Sequence, residues 1–138
     1  MIIDLSVDLS ELDRLTGAVD AFCDERDVPP QFAMQLNLVL EELFTNTVSY
    51  GYDGRDRAGQ PIRVTLSVAN DAVLAEISDG GRPFDPLQVP PPDLTSDVDE
   101  RAVGGLGVHF LRTLMSDLNY VRRNERNHLT FTKNLGAS

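Results

Sequence analysis

The sequence predicts an α+β fold, a two-layer sandwich in which one mixed, mostly antiparallel sheet is covered on one face by three helices. Three observations carry this. Ile62, Val64, Leu66 and Val68 alternate with polar residues, and a second apolar run, Val73 to Ser78, returns after Asn70-Asp71. That is an antiparallel hairpin with a two-residue turn. Two stretches before it and one after it space their apolar residues by three and four, as helices do. A second hairpin, Leu118 to Arg122 and His128 to Lys133 around a polar turn at 124–127, closes the chain.

In order, Ile2 to Val7 reads as a short strand, and Asp8 or Ser10 can cap the helix that follows. Leu12, Leu15, Val19 and Phe22 form the apolar face of that first helix, with Glu11 in its first turn, where the helix dipole favours acid. Cys23 on the same face reads as a small core hydrophobe rather than a nucleophile. Pro30 suits a helix start, and the second helix runs from about Gln31 to Ser49 with Leu36, Leu40, Leu43 and Thr47 as its buried stripe. Leu87 to Val103, with three consecutive prolines and four acids, has little core-forming pattern, and a loop of that length is usually functional or mobile. A third helix opens at Gly104-Gly105-Leu106-Gly107 and buries Val108, Leu111 and Leu114-Met115. No repeat and no domain boundary is visible, so residues 1–138 read as a single domain.

Composition narrows the function. The chain has 138 residues, 41% hydrophobic and 25% charged, the balance of a globular protein with a real core. A net charge of −10 argues against nucleic acid and anionic membrane as partners. No apolar run approaches a membrane span and the N-terminus has no signal-peptide pattern, so a cytoplasmic location is expected. One cysteine cannot form an internal disulfide, which agrees.

Three polar signals remain. Glu42 and Asn46 lie four apart in EELFTNTVSYGY, so at about 100° per residue they share one shoulder of the second helix, with Glu41 facing water. A carboxylate there can accept a proton from an attacking hydroxyl, and an amide oxygen can ligate a hard cation. On its own the pair is common on ordinary helix surfaces. Asp79 ends a strand and is followed by Gly80-Gly81; a carboxylate in a dry pocket selects an amine over a carbonyl, although alone it reads as a turn residue. Gly104, Gly105 and Gly107 at a helix start let backbone N–H groups approach a phosphate, or serve as a hinge or cap. They match neither the Walker motif nor the dinucleotide fingerprint.

Together, E-x-x-x-N, then D-x-G-x-x-F-D-P, then G-G-x-G resemble the N, G1 and G2 boxes of the GHKL (Bergerat-fold) ATPases, the superfamily of gyrase and the histidine kinases. Phe84-Asp85-Pro86, the run from Gly104 to Met115 and the ending Asn46 to Tyr52 are similar to the anti-sigma factor serine/threonine kinases of the partner-switching type. The resemblance covers nearly the whole chain. It implies that Asn46 ligates Mg²⁺, that Glu42 is the general base and that Asp79 accepts the adenine amine with Gly81 giving room beside the base. It implies further that Gly105 and Gly107 hold phosphates, that about 87–103 is the ATP lid and that Thr130 is an adenine-side hydroxyl. Tyr50 stands where relatives often carry His, and Pro83 where histidine kinases often carry a second glycine. The activity implied is ATP- and Mg²⁺-dependent phosphorylation of a STAS-domain antagonist by a homodimer that also sequesters a sigma factor. A rival is an ATP-binding switch that acts through partner binding without phosphotransfer; a histidine kinase is disfavoured because no dimerisation helix with a phosphoacceptor histidine is present.

Overall fold

A computed structural model describes residues 1–52, 60–88 and 105–136, with the backbone alone at 105 and 106. Strand β1 (Ile2–Leu5) leads to helix α1 (Leu12–Glu25) and helix α2 (Pro30–Asn46). The hairpin β2 (Ile62–Ala69) and β3 (Ala72–Asp79) follows, then helix α3 (Gly105–Leu114) and the hairpin β4 (Ser116–Arg123) and β5 (Arg126–Asn134). The five strands form one sheet in the order β1-β2-β3-β5-β4. Every neighbouring pair is antiparallel, so the parallel component that a mixed sheet allows is absent among the described strands. β3 is central, and its C-terminal residue, Asp79, pairs with Asn127 at the start of β5.

One face of the sheet meets the helices. Val64, Leu66, Val73, Leu129 and Phe131 pack from the strands against Leu15 and Val19 of α1, Leu36, Leu40 and Phe44 of α2, and Leu111 of α3. α2 touches both other helices and lies between them. The opposite face carries polar pairs beside the exposed Ile2, Leu74 and Val121: Arg63 holds Asp4 through two bonds of 2.7 and 3.0 Å, and Arg126 donates to Ser78 Oγ at 3.1 Å. Lys133 crosses from β5 to the carbonyl of Leu114, placing a cation on the C-terminus of α3.

Several boundaries differ from the sequence expectation for local reasons. Asp8 does cap, through Ser10 N–H at 2.8 Å, but it caps a 3-10 turn (Leu9–Glu11) that precedes α1. α2 ends at Asn46 and widens into a π-helical turn, Thr47–Gly51, where the Thr47 hydroxyl bonds back to the Leu43 carbonyl at 2.9 Å. β4 begins two residues earlier than its alternation shows, because Asp117 (φ 53°) interrupts the register between Ser116 and Asn119. Glu41 does not face water freely. It accepts a 2.7 Å bond from the Thr16 hydroxyl of α1 and so ties the two helices.

Both hairpins turn on two residues with positive φ, Asn70-Asp71 (54° and 59°) and Asn124-Glu125 (54° and 62°). The twist of such turns matches the strands but favours Asn followed by Gly. Glutamate is the least suited of the four to a left-handed conformation. Glu125→Gly is therefore expected to stabilise the protein by about 1 kcal/mol in urea unfolding, since a non-glycine residue there costs about 1–3 kcal/mol, less the greater freedom of glycine in the unfolded chain. A loss of stability would show that Glu125 makes a compensating contact.

Candidate functional site

The site gathers where the C-terminal end of β3 meets α2. A carboxylate at the end of a central strand is shielded by the sheet on two sides, and Asp79 is only 8% exposed. Desolvation raises its pKa above the ordinary aspartate value, opposed by hydrogen bonds from Asn127 and the Gly81 N–H and by the charges of Arg126 and Arg122. Asp79 Oδ1 accepts from Gly81 N–H at 2.9 Å and from Asn127 Nδ2 at 3.0 Å. Oδ2 has no protein partner among the described residues, and Asp79 lines a cavity of about 300 Å³. Leu43, Ile77, Val108 and Leu129 provide apolar walls for this cavity, with Tyr50 and Phe84 at its lining as well. Both aromatic residues are more than two-fifths exposed.

The segment after Asp79 is fixed by backbone bonds. Arg82 N–H donates to the Gly51 carbonyl at 2.7 Å, which draws the chain against the π-helical turn. Gly81 fits there for want of a side chain, since a Cβ would stand 2.6 Å from the Gly51 oxygen and 2.9 Å from Asp79 Oδ1. Tyr52, almost wholly buried, donates its hydroxyl to the Gln60 carbonyl at 2.8 Å and accepts from Gly80 N–H at 2.8 Å. The Gly51-Tyr52 pair thus supports the strand end from below.

Asn46 lines the same cavity, and its carboxamide has no hydrogen-bond partner among the described residues. Glu42 stands one turn earlier on α2. Gly107, in the first turn of α3, lets the two helices meet at this point: a Cβ on it would lie 3.1 Å from Glu42 Cβ and 3.2 Å from Asn46 Nδ2. Gly105 is the first residue of α3. Glu42, Asn46, Asp79, Gly81 and Gly107 are therefore brought to one region. Residues 89–103, most of the expected lid, and Gly104 lie outside the described residues. Leu87 sits in a 3-10 turn, Pro86–Gln88, and its carbonyl accepts from Arg112 of α3.

Thr130 is not brought to the cavity. It pairs with Glu76 and Asn119, and its neighbours Leu129 and Phe131 are the residues that face the helices. Strand alternation therefore places the Thr130 hydroxyl on the open face of the sheet. The polar residue of β5 that does reach the cavity is Asn127, 7% exposed and absent from the sequence-based candidates. It shares the parity of Leu129 and Phe131, so a polar residue on the core side of a strand was the available signal.

The two glycines after Asp79 predict different costs. An added Cβ at Gly81 meets backbone, whereas at Gly80 it meets first the side-chain end of Gln60, 2.2 Å from Oε1. Gly81→Ala is expected to destabilise by about 1–3 kcal/mol in chemical denaturation and Gly80→Ala by clearly less, because a flexible side chain can move aside. Equal costs would contradict the tight packing of Gly81 on Gly51.

Residues 5–133 match the family model described as the histidine kinase-like ATPase domain. Among curated proteins, serine/threonine-protein kinase BtrW of Bordetella bronchiseptica is 35% identical over 97 residues, 70% of this chain and 67% of that protein. Serine-protein kinase RsbW of Bacillus pumilus is 31% identical over 87 residues, 60% of this chain and 54% of that protein, so the chain spans about half of its length. Among solved structures, the histidine kinase domain of a blue-light activated histidine kinase from Erythrobacter litoralis superposes with a TM-score of 0.56 at 20% identity, covering 92% of this chain and 60% of that one. That likeness bears on the fold, and it agrees with the α+β sheet-and-helices arrangement found here. Since the family model runs from the end of β1 into β5, the chain belongs to the histidine kinase-like ATPase domain family.

Proposed function

We propose that this protein is an ATP-dependent serine/threonine kinase of the anti-sigma factor type, with the base of ATP seated against Asp79. The observation that carries the reading is the open Oδ2 of a buried, charge-flanked carboxylate in an apolar-walled cavity of about 300 Å³, with room for a purine. Such an oxygen accepts from the exocyclic amine of adenine. A guanine presents a carbonyl at that edge, leaving two acceptors face to face.

Asn46 and Gly107 lie on the α2–α3 side of the cavity and suit the phosphates. Among the described residues no group of three or more His, Cys, Asp or Glu could hold a metal alone. The unpartnered Asn46 amide oxygen would supply one hard ligand to Mg²⁺, an ion that needs few protein ligands when phosphates are bound. Mg²⁺ would neutralise phosphate charge when bound, with Asn46 as its protein ligand. The amides at the start of α3, from Gly105 onward, would take the remaining negative charge at the positive end of the helix dipole. Glu42 would accept the proton of a serine or threonine hydroxyl as that oxygen bonds to the γ-phosphorus and the bond to the β-phosphate oxygen breaks.

The names of the two curated relatives support the kinase part of this reading. The partners belong to the proposal through the resemblance: a STAS-domain antagonist as phosphate acceptor, a sigma factor as the protein sequestered, and a homodimer as the working unit. The lid at about 87–103 and the organisation of 1–138 as one domain are proposed on the same ground. No helix among the described residues is long and apolar enough to cross a membrane.

The test is transfer of labelled γ-phosphate to a panel of STAS-domain proteins. Wild type is expected to phosphorylate one of them on serine or threonine, and Glu42→Gln to slow transfer by about 10²–10⁴-fold while still binding ATP. Equal rates would remove Glu42 as the base. ATP binding by wild type without transfer to any acceptor would favour the switch that works by partner binding alone.

A further inference from the structure

We propose that Asn127 is a positioning and specificity-determining residue of the base site, holding Asp79 Oδ1 so that Oδ2 alone is presented to the exocyclic amine of a bound purine. The inference rests on the reading of Asp79 as the base acceptor.

Asn127 is placed for this by register, opposite Asp79 on β3 and Arg122 on β4. Every hydrogen-bonding group of its side chain is used. Nδ2 donates to Asp79 Oδ1 at 3.0 Å and to the Arg82 carbonyl at 2.9 Å. Oδ1 accepts from Tyr120 Oη at 2.5 Å, Arg122 at 3.2 Å and Phe84 N–H at 3.3 Å. Turning the amide over would set its NH₂ against two obligate donors, Arg122 and the Phe84 N–H, and its oxygen against two acceptors. The donor facing Asp79 is therefore fixed by the Arg82 carbonyl, Arg122 and the Phe84 N–H, and not by Asp79 alone.

Two consequences follow for Asp79. With Gly81 N–H and Asn127 both on Oδ1, that oxygen is occupied, the carboxylate cannot rotate without losing bonds, and the free acceptor has one direction. The donor also favours the ionised form against desolvation. The other charged groups near Asp79 are Arg122 and Arg126, which act the same way, and Arg82 at the cavity. The phenols of Tyr120 on β4 and Tyr50 complete the titratable lining; α2 offers Leu43 and Asn46 there, the π-helical turn Thr47 and α3 Val108, none of which titrates. Asn127 also couples base and loop, since Arg82 and Phe84 are bonded to the same side chain and Arg122 holds the Gly81 carbonyl at 2.8 Å.

The experiment is a ¹³C NMR titration of the Asp79 carboxyl in wild type, Asn127→Leu and Asn127→Asp. It is joined to ATP and GTP affinities measured against pH, with Asp79→Asn as both assignment and control. In Asn127→Leu the Asp79 midpoint is expected to rise by about one pH unit. Because the carboxylate form accepts the amine, ATP affinity should then begin to fall at a higher pH than in wild type. Loss of the fixed carboxylate orientation should also weaken ATP binding by about tenfold at pH 7, and the preference for ATP over GTP should shrink. Asn127→Asp keeps the acceptor contacts and the shape but sets two carboxyls 3 Å apart. Arg122 and the Phe84 N–H would hold the new carboxyl charged, so the proton the pair shares should sit on Asp79 and ATP should be lost in the same way, which keeps the test valid should the leucine variant fold poorly.

An unmoved Asp79 midpoint, or an equal loss for ATP and GTP at every pH, would overturn the positioning role and leave Asn127 a structural residue. If Asp79→Asn binds ATP as wild type does, the base-acceptor reading fails first and this inference falls with it. The control thereby separates the two failures.

Discussion

A carboxylate at the end of a buried central strand takes up a proton unless donors hold it charged, and much of this molecule is arranged around that constraint. Burying a charge costs on the order of several kcal/mol unless it is paired and hydrogen-bonded. Asp79 is charge-flanked but makes no direct ion pair among the described residues; its help comes from one backbone N–H, one amide and two arginines nearby. Those donors come from separate parts of the chain. Gly81 belongs to the turn after β3, Asn127 to β5, and the arginines to the β4–β5 hairpin. A site that needs all of them exists only when the last hairpin has docked beside β3, so the order of strands in the sheet and the chemistry of the pocket are one problem.

The helix layer solves the complementary problem of bringing polar groups to the same cavity without burying them unpaired. α2 packs Leu36, Leu40 and Phe44 into the core and leaves Glu42 and Asn46 on its shoulder, where α3 approaches closely because Gly107 has no side chain. The π-helical turn that ends α2 serves the strand end as well, since its Gly51 carbonyl receives the Arg82 N–H and fixes how near Gly81 can come. Stability and function therefore meet at the same contacts. A change that loosens Gly81 or Gly107 acts on packing and on ligand geometry together.

Much of this was legible in the sequence because its patterns are strong. The β2–β3 hairpin announced itself by alternation around Asn70-Asp71, and the buried stripe of α2 by its spacing. Glu42, Asn46, Asp79, Gly81 and Gly107 follow from their motif order, and the fold brings them into one region. What was missed depended on partners that sequence spacing does not show. Glu41 looked solvent-facing because α1 supplies its partner, Thr16, from 25 residues away. The resemblance points to the Thr130 hydroxyl, yet its parity with Thr132 and against Leu129 sets it on the open face. Asn127 was passed over as a turn residue because β5 begins at Arg126, two residues earlier than its apolar alternation suggested. The tight Asn124-Glu125 turn is what extends the strand.

The central claim is that Asp79 reads the base as a charged acceptor. Calorimetric titration of wild type and Asp79→Asn with ATP and with GTP, in the presence of Mg²⁺ at neutral pH, tests it most directly. Wild type is expected to bind ATP and discriminate against GTP, and Asp79→Asn, whose amide can turn a donor toward the base, to lose most of its affinity for ATP and most of that discrimination. Wild type that binds both nucleotides equally well, or Asp79→Asn that retains full preference for ATP, would contradict it.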